Sequence, residues 1–154
     1  MEKLKKNFLP VSIDISNQKI LLIGGGKSAL KKLKILQRFN AEVEVLALEI
    51  CNEIKESGVK YFETKYEKEK LKGYLMLYSC TNNYELDKQI LADGKECGVL
   101  VNIHDKPELC QFVSPAIYKN RNMTIAVASN GEDVYESIRL RNKIQVYLTG
   151  EKNN

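Results

Sequence analysis

The feature that most restricts this chain is the run Lys19-Ile20-Leu21-Leu22-Ile23, which ends in Gly24-Gly25-Gly26 and leads directly into Lys27-Ser28-Ala29. A short continuous apolar run bounded by glycine suits a strand covered on both faces, as strands of a parallel sheet are. Between Lys27 and Phe39 the apolar residues Ala29, Leu30, Leu33 and Leu36 recur at three- and four-residue steps, with Lys31, Lys32, Lys34 and Gln37 between them. That spacing predicts an amphipathic helix. Strand, glycine turn and helix thus frame a G-x-G-x-x-A motif. In it Gly24 permits the tight turn, Gly26 lets a pyrophosphate approach the backbone, and Ala29 lets helix and strand pack closely. The amides at the helix start then point at the anion. The competing reading is a tight turn with no ligand.

The alternation continues downstream. Residues 42–47 read as a second strand, 49–57 as a short helix closed by Gly58, and 59–62 as a short strand. Tyr74-Leu75-Met76-Leu77-Tyr78-Ser79 reads as another buried strand, Thr81-Asn82-Asn83 as a turn, and Leu86, Ile90, Leu91 and Cys97 as the inner side of a helix. Val99-Leu100-Val101-Asn102-Ile103 supplies a fifth strand. Strands separated by helix-length segments imply βαβ units with right-handed crossovers. After Asp105 the pattern changes: 111–118 and 123–129 predict an antiparallel hairpin turning at 119–122, a helix follows over 132–147, and 151–154 is expected to fray. The expected architecture is α/β, a Rossmann-type parallel sheet with helices on both faces, followed by a small β-hairpin plus helix. The expected domains are 1–104, binding the nucleotide, and 105–154, an appendage whose dimerisation and substrate roles are implied only by the family resemblance described below.

Composition narrows the function classes. With 154 residues the chain can bury one substantial core without disulfides or metal. Its net charge of +4, from 24 basic and 20 acidic residues, is too small a basic excess for nucleic-acid binding. The lysines of Lys31-Lys32 and of 68–72 read as solvated faces. No stretch approaches the ~20 apolar residues of a membrane span, and the lysines near the start are not followed by a signal-peptide core, so the expected compartment is the cytoplasm. Cys51, Cys80, Cys97 and Cys110 form no C-x-x-C unit, so they are expected to be buried reduced thiols, and no metal site is expected.

Several residues fall where strands of such a sheet end. Leu48 and Glu49 follow the second strand, where an acid can accept hydrogen bonds from an adenosine ribose and favour NAD over NADP; Glu49 can equally be an acid at a helix start. Thr81 and Asn83 are placed either to touch a cofactor or to cap a helix. His104 and Asp105 follow the fifth strand. His104, the sole histidine, reads as structural, whereas Asp105 is either a proton acceptor or a cap for Lys106-Pro107-Glu108.

Taken together, Gly24-Gly25-Gly26 with Ala29 and Lys32, then Thr81-Asn82-Asn83, then Asn102 to Cys110, Phe112-Val113-Ser114-Pro115-Ala116-Ile117 and Thr124 to Gly131 resemble the precorrin-2 dehydrogenase family, which includes the N-terminal module of siroheme synthase. The resemblance runs from about Phe8 to Arg141. It implies oxidation of precorrin-2 to sirohydrochlorin with NAD as hydride acceptor, in siroheme or cobalamin biosynthesis, by a homodimer formed through the hairpin and last helix. By motif position it implies Asp105 as the general base, Lys27, Ser28, Leu48 and Glu49 as cofactor positions, and Ser129 in the substrate region. Basic side chains near the appendage, Lys106, Arg121, Arg139 and Arg141, can pair with the tetrapyrrole's carboxylates. Ferrochelatase activity, an NAD-sensing module and a tetrapyrrole-delivery protein are the alternatives. Two departures from the family pattern stand out: Asp133-Val134 and Ser137-Ile138 stand where the family commonly has Ser-Pro and Ala-Arg, and the family usually continues in further helices past the position of Asn154.

Overall fold

The computed structural model describes residues 5–150, and their contacts divide into two units, 10–112 and the described parts of 1–9 and 113–154. In the first, five strands, β1 (Lys19–Ile23), β2 (Glu42–Ala47), β3 (Lys60–Glu63), β4 (Tyr74–Ser79) and β5 (Leu100–Ile103), form an all-parallel sheet in the order β3-β2-β1-β4-β5. Helices α1 (Lys27–Gln37), α2 (Asn52–Glu56) and α3 (Tyr84–Cys97) make the crossovers after β1, β2 and β4.

The apolar run of β1 is explained by its central place. Ile20 and Leu22 join Val43, Val45, Met76 and Tyr78 in a core closed by Ala29, Leu33 and Leu36 of α1 and Ile54 of α2. Leu21 and Ile23 alternate to the opposite face and are just as buried, at 0% and 2% exposure. Each such side chain contributes about 1.5–3 kcal/mol on burial. On that second face α3 comes so close to β5 that a Cβ at Gly94 would lie 2.3 Å from Val101 Cγ2. The residues α3 buries are Asp87, Ile90 and Gly94, not the expected set of Leu86, Ile90, Leu91 and Cys97. The helix is rotated because Gly94 is what permits the close approach.

Other expectations also shift. The helix expected over 49–57 is confined to α2, because Ile50 and Cys51 spend their amides on Glu63 and Gly25. The strand expected from 111 begins only at Ala116. Gln111 instead bonds Val101 twice, through its amide at 2.8 Å and its side-chain oxygen at 2.9 Å, and so covers part of the open edge of β5. Asn102 Nδ2 donates to the Phe112 carbonyl at 2.9 Å. These ties carry the Asp105 loop into the sheet unit, which runs from Pro10 to Phe112. Of the four cysteines, all unbridged, only Cys80 and Cys110 are buried; Cys97 is exposed on α3's last turn and Cys51 is half-buried.

The second unit holds the antiparallel hairpin β6 (Ala116–Asn120) and β7 (Met123–Val127), followed by α4 (Val134–Thr149). Asp133 caps α4 by accepting from the Glu136 amide at 2.9 Å, and Arg141 donates to the Ile117 carbonyl at 3.1 Å, tying helix to hairpin. Asn130 holds the chain start, accepting from Phe8 N at 2.8 Å and donating to the Lys6 carbonyl at 2.6 Å. The expected fraying of 151–154 lies outside the described residues.

Candidate active site

In an open parallel sheet the ligand crevice lies beyond the carboxyl ends of the strands, where successive crossovers leave in opposite directions. Here that point is between β1 and β4. Ile23 pairs with Ser79 and Ser79 with Ile103, so the glycine turn, Cys80 and His104-Asp105 stand side by side on one rim. Adjacent strands are about 4.8 Å apart; Gly24 and His104 are therefore separated by about two strand spacings.

The three glycines have different reasons. Gly24 has φ +130°, and a Cβ there would lie 2.6 Å from the Cys80 carbonyl oxygen. Gly25 is packed still harder, since its Cβ would sit 2.0 Å from the Glu49 carbonyl oxygen. Gly26 alone faces open space, with nothing within 4 Å of a built Cβ. It is also the N-cap of α1, offers no side chain to the first-turn amides, and is followed by no acid in that turn. An open backbone approach at an uncapped, acid-free helix start fits a dinucleotide pyrophosphate.

Glu49 lies beside that turn because two bonds pin its neighbours: Cys51 N to Gly25 O at 2.8 Å and Ile50 N to Glu63 Oε1 at 3.2 Å. Leu48 and Glu49 are both exposed. Since α2 begins at Asn52 and takes Glu53 as its first-turn acid, Glu49 stands outside that helix. Thr81 and Asn83 are engaged locally: Asn83 Oδ1 accepts from Leu86 N at 3.1 Å as the N-cap of α3, and Thr81 Oγ1 donates to Asp87 Oδ1 at 2.8 Å.

Asp105 sits on the loop after β5 with φ +58°, a left-handed backbone uncommon outside glycine. Its carboxylate is 83% exposed and lies 3.2 Å from His104 Nε2. The loop is fastened on both sides. His104 N donates to Ser79 O at 2.9 Å, and Lys106 Nζ reaches Asp87 Oδ2 at 2.8 Å. Asp87 is buried, and its other oxygen accepts from Ser79 and Thr81, each at 2.8 Å. Lys106, a candidate for substrate carboxylates, therefore already holds a carboxylate of its own chain.

Lys32 is the other charge that the sequence pattern misplaced. Its stem is half-buried on α1, and its ammonium lies 4.8 Å from the centre of the Tyr78 ring, which packs edge-on against Phe112 with centroids 5.2 Å apart. Burial pulls the Lys32 pKa below the ordinary lysine value, against the opposing influence of the acidic groups Cys80, Cys110 and Asp105. Burial likewise pushes the Cys80 thiol up to about 11, with Lys32 working against it.

The sequence signal for Asp87 was its place three residues before Ile90 and seven before Gly94, on the stripe of α3 that faces the sheet. Ranking positions by apolarity passes over an acid and a glycine. The remaining candidates belong to the hairpin unit. Arg121 is exposed in the hairpin turn, Arg139 pairs with Glu136 at 2.7 Å, Arg141 is bonded to Ile117, and Ser129 Oγ accepts from Asp133 N at 2.8 Å. Among the described residues no group of three or more His, Cys, Asp or Glu is arranged to hold a metal, and no helix is long and apolar enough to cross a membrane.

Strand order, glycine turn and open helix start define a dinucleotide-binding domain of the Rossmann type. The chain belongs to the putative NAD(P)-binding family, whose model matches residues 11–116. Among curated proteins it is 32% identical over 146 residues to a siroheme synthase of Buchnera aphidicola and 30% identical over 146 residues to one of Ruthia magnifica. Each match takes in 92% of this chain, but the chain spans only 31% of those relatives. Among solved structures the fold is shared with "SirC, precorrin-2 dehydrogenase", at a TM-score of 0.75 and 20% identity, over 91% of this chain and 70% of that one.

Proposed function

We propose that this chain catalyses the NAD-dependent oxidation of precorrin-2 to sirohydrochlorin. The observation that carries the reading is that the glycine turn ending in the open Gly26 and the loop bearing Asp105 leave one rim of the sheet, their first residues, Gly24 and His104, about two strand spacings apart. The siroheme-synthase relatives and the fold shared with a precorrin-2 dehydrogenase support the choice of substrate. Bound NAD supplies the two-electron acceptor for hydride. The Gly26 backbone with the Lys27 and Ser28 amides would hold its pyrophosphate, on a turn shaped by Gly24 and Gly25. Leu48 and Glu49 would hold the adenosine ribose, where the Glu49 carboxylate would disfavour the 2′-phosphate of NADP.

The oxidation removes one hydride and one proton from the tetrapyrrole. Asp105 accepts the proton; its exposure leaves it accessible to a substrate carbon or nitrogen acid, and the adjacent His104 limits where it points. In this reading the sheet unit serves the cofactor, and the hairpin and α4 serve dimerisation and substrate through Ser129, Arg121 and Arg139. The protein works as a soluble cytoplasmic homodimer.

Mixing purified protein with NAD and precorrin-2 produces the absorbance of reduced nicotinamide, and Asp105→Ala lowers that rate by roughly 10²- to 10⁴-fold, the usual worth of a positioned general base. No reduced nicotinamide from the parent protein rejects the oxidation. An unchanged rate in Asp105→Ala rejects the assigned base.

A further inference from the structure

An exposed carboxylate on a left-handed loop residue keeps its aim only if the loop is held from elsewhere. Next to Asp105, Lys106 turns its ammonium inward to Asp87, its side chain retaining 25% exposure and that of Asp87 only 1%. The Asp87 carboxylate is divided: Oδ1 takes the hydroxyls of Ser79 and Thr81, and Oδ2 takes Lys106, all at 2.8 Å. One buried group thus joins the end of β4, the turn into α3 and the Asp105 loop. Lys106 N also donates to Ile103 O at 3.2 Å and its carbonyl accepts from Leu109 N at 2.9 Å, so anchoring its side chain fixes the backbone on both sides of it.

A partly buried pair of this kind is poor evidence of stabilisation, because the cost of taking charge from water offsets much of the attraction. Its geometry points to a different use. We propose that Asp87 and Lys106 are positioning residues for the oxidation, holding the loop that aims Asp105 at the substrate. This inference rests on the assignment of Asp105 as the base.

The test is Asp87→Asn/Lys106→Met, which removes both charges together and so leaves no buried charge unpaired while cutting the tie. It is compared with Lys106→Arg, which preserves the tie. The double variant leaves one buried amide donor without an acceptor, a cost of about 1–3 kcal/mol, so it is expected to melt modestly lower than the parent and to bind NAD with unchanged affinity, yet to show kcat lowered roughly tenfold to a hundredfold, the effect of a displacement of about 1 Å at the reacting group. Lys106→Arg is expected to stay within about threefold of the parent, since it keeps a charged donor on Asp87. Hydrogen–deuterium exchange is expected to accelerate in the double variant over 104–109 and not in β1. A double variant with parental kcat and parental exchange overturns the proposal, as does a lowered melting temperature with unchanged kcat. If the parent itself fails to oxidise precorrin-2, the functional reading falls, and the exchange measurement still decides whether this pair anchors the loop.

Discussion

Adding one methyl group at each of two adjacent glycines separates folding from cofactor binding. At Gly25 the new Cβ would lie 2.0 Å from the Glu49 carbonyl oxygen and 2.7 Å from Ile50 Cα. Both obstacles are backbone, and the segment cannot easily retreat because Cys51 N is bonded to Gly25 O at 2.8 Å. Overpacking of this kind costs about 1–3 kcal/mol when side chains can adjust, so Gly25→Ala should reach or exceed about 3 kcal/mol. With a urea slope of about 1–3 kcal/mol/M, the unfolding midpoint falls by about 1 M or more. At Gly26 the Cβ meets nothing and φ is −99°, so the gain from restricting the unfolded chain, up to about 1 kcal/mol, opposes the preference for glycine over alanine at an N-cap, and Gly26→Ala keeps stability within about 1 kcal/mol of the parent. That methyl occupies the surface a pyrophosphate must approach. Losing one hydrogen bond to a charged group costs about 1.5–3 kcal/mol, or roughly ten- to hundredfold in the NAD dissociation constant. Urea unfolding followed by circular dichroism and NAD titration calorimetry read the two effects. Parental NAD affinity in Gly26→Ala, or parental stability in Gly25→Ala, refutes the reasoning.

Three other outcomes follow from the packing and charge. Burial pushes Glu44 upward, but the Tyr74 hydroxyl with Lys19 and Lys60 together hold its pKa below the usual carboxylate value. A depressed carboxylate stabilises fully above its unfolded pKa and loses that contribution as pH falls through the folded one, so the stability gap between the parent and Glu44→Gln, read from urea midpoints, should shrink as pH drops below about 4.5; a gap that widens contradicts the charge assignment. Iodoacetamide should label exposed Cys97 in the native protein and Cys80 only after unfolding, because Cys80 is buried and its thiol is pushed up to about 11; mass spectrometry of tryptic peptides distinguishes the two sites. Gly94→Ala should cost about 1–3 kcal/mol, since its Cβ would strike a β-branched Val101 that is fully buried, and a thermal melt indistinguishable from the parent would show that α3 has room to retreat from β5.

Much of the sheet unit was legible because its information is local. A doubly covered strand must be apolar throughout, and Ile20 to Ile23 is; a turn into a helix start must be nearly free of side chains, and Gly24-Gly25-Gly26 is. The period of α1 and the antiparallel hairpin could be read for the same reason. The rim shared by Gly26, Cys80 and Asp105 also follows from counting strand ends once the sheet is taken as parallel. Sequence alone therefore determined the architecture and the edge at which chemistry can occur.

Which polar residues point inward was decided only by the tertiary structure. Asp87 looks like a surface acid on α3 until Gly94 draws that helix face against β5, and Lys106 looks like a free cation until the loop turns it down onto Asp87. Lys32, one of two adjacent lysines, is half-buried over Tyr78 while Lys31 is exposed, because successive helix residues differ by about 100° in direction. The physical reason is common to all three. A charge is admitted to the interior only where partners from distant segments meet it, and those partners, Ser79 and Thr81 for Asp87 or the Tyr78 ring for Lys32, become neighbours only when the sheet has closed.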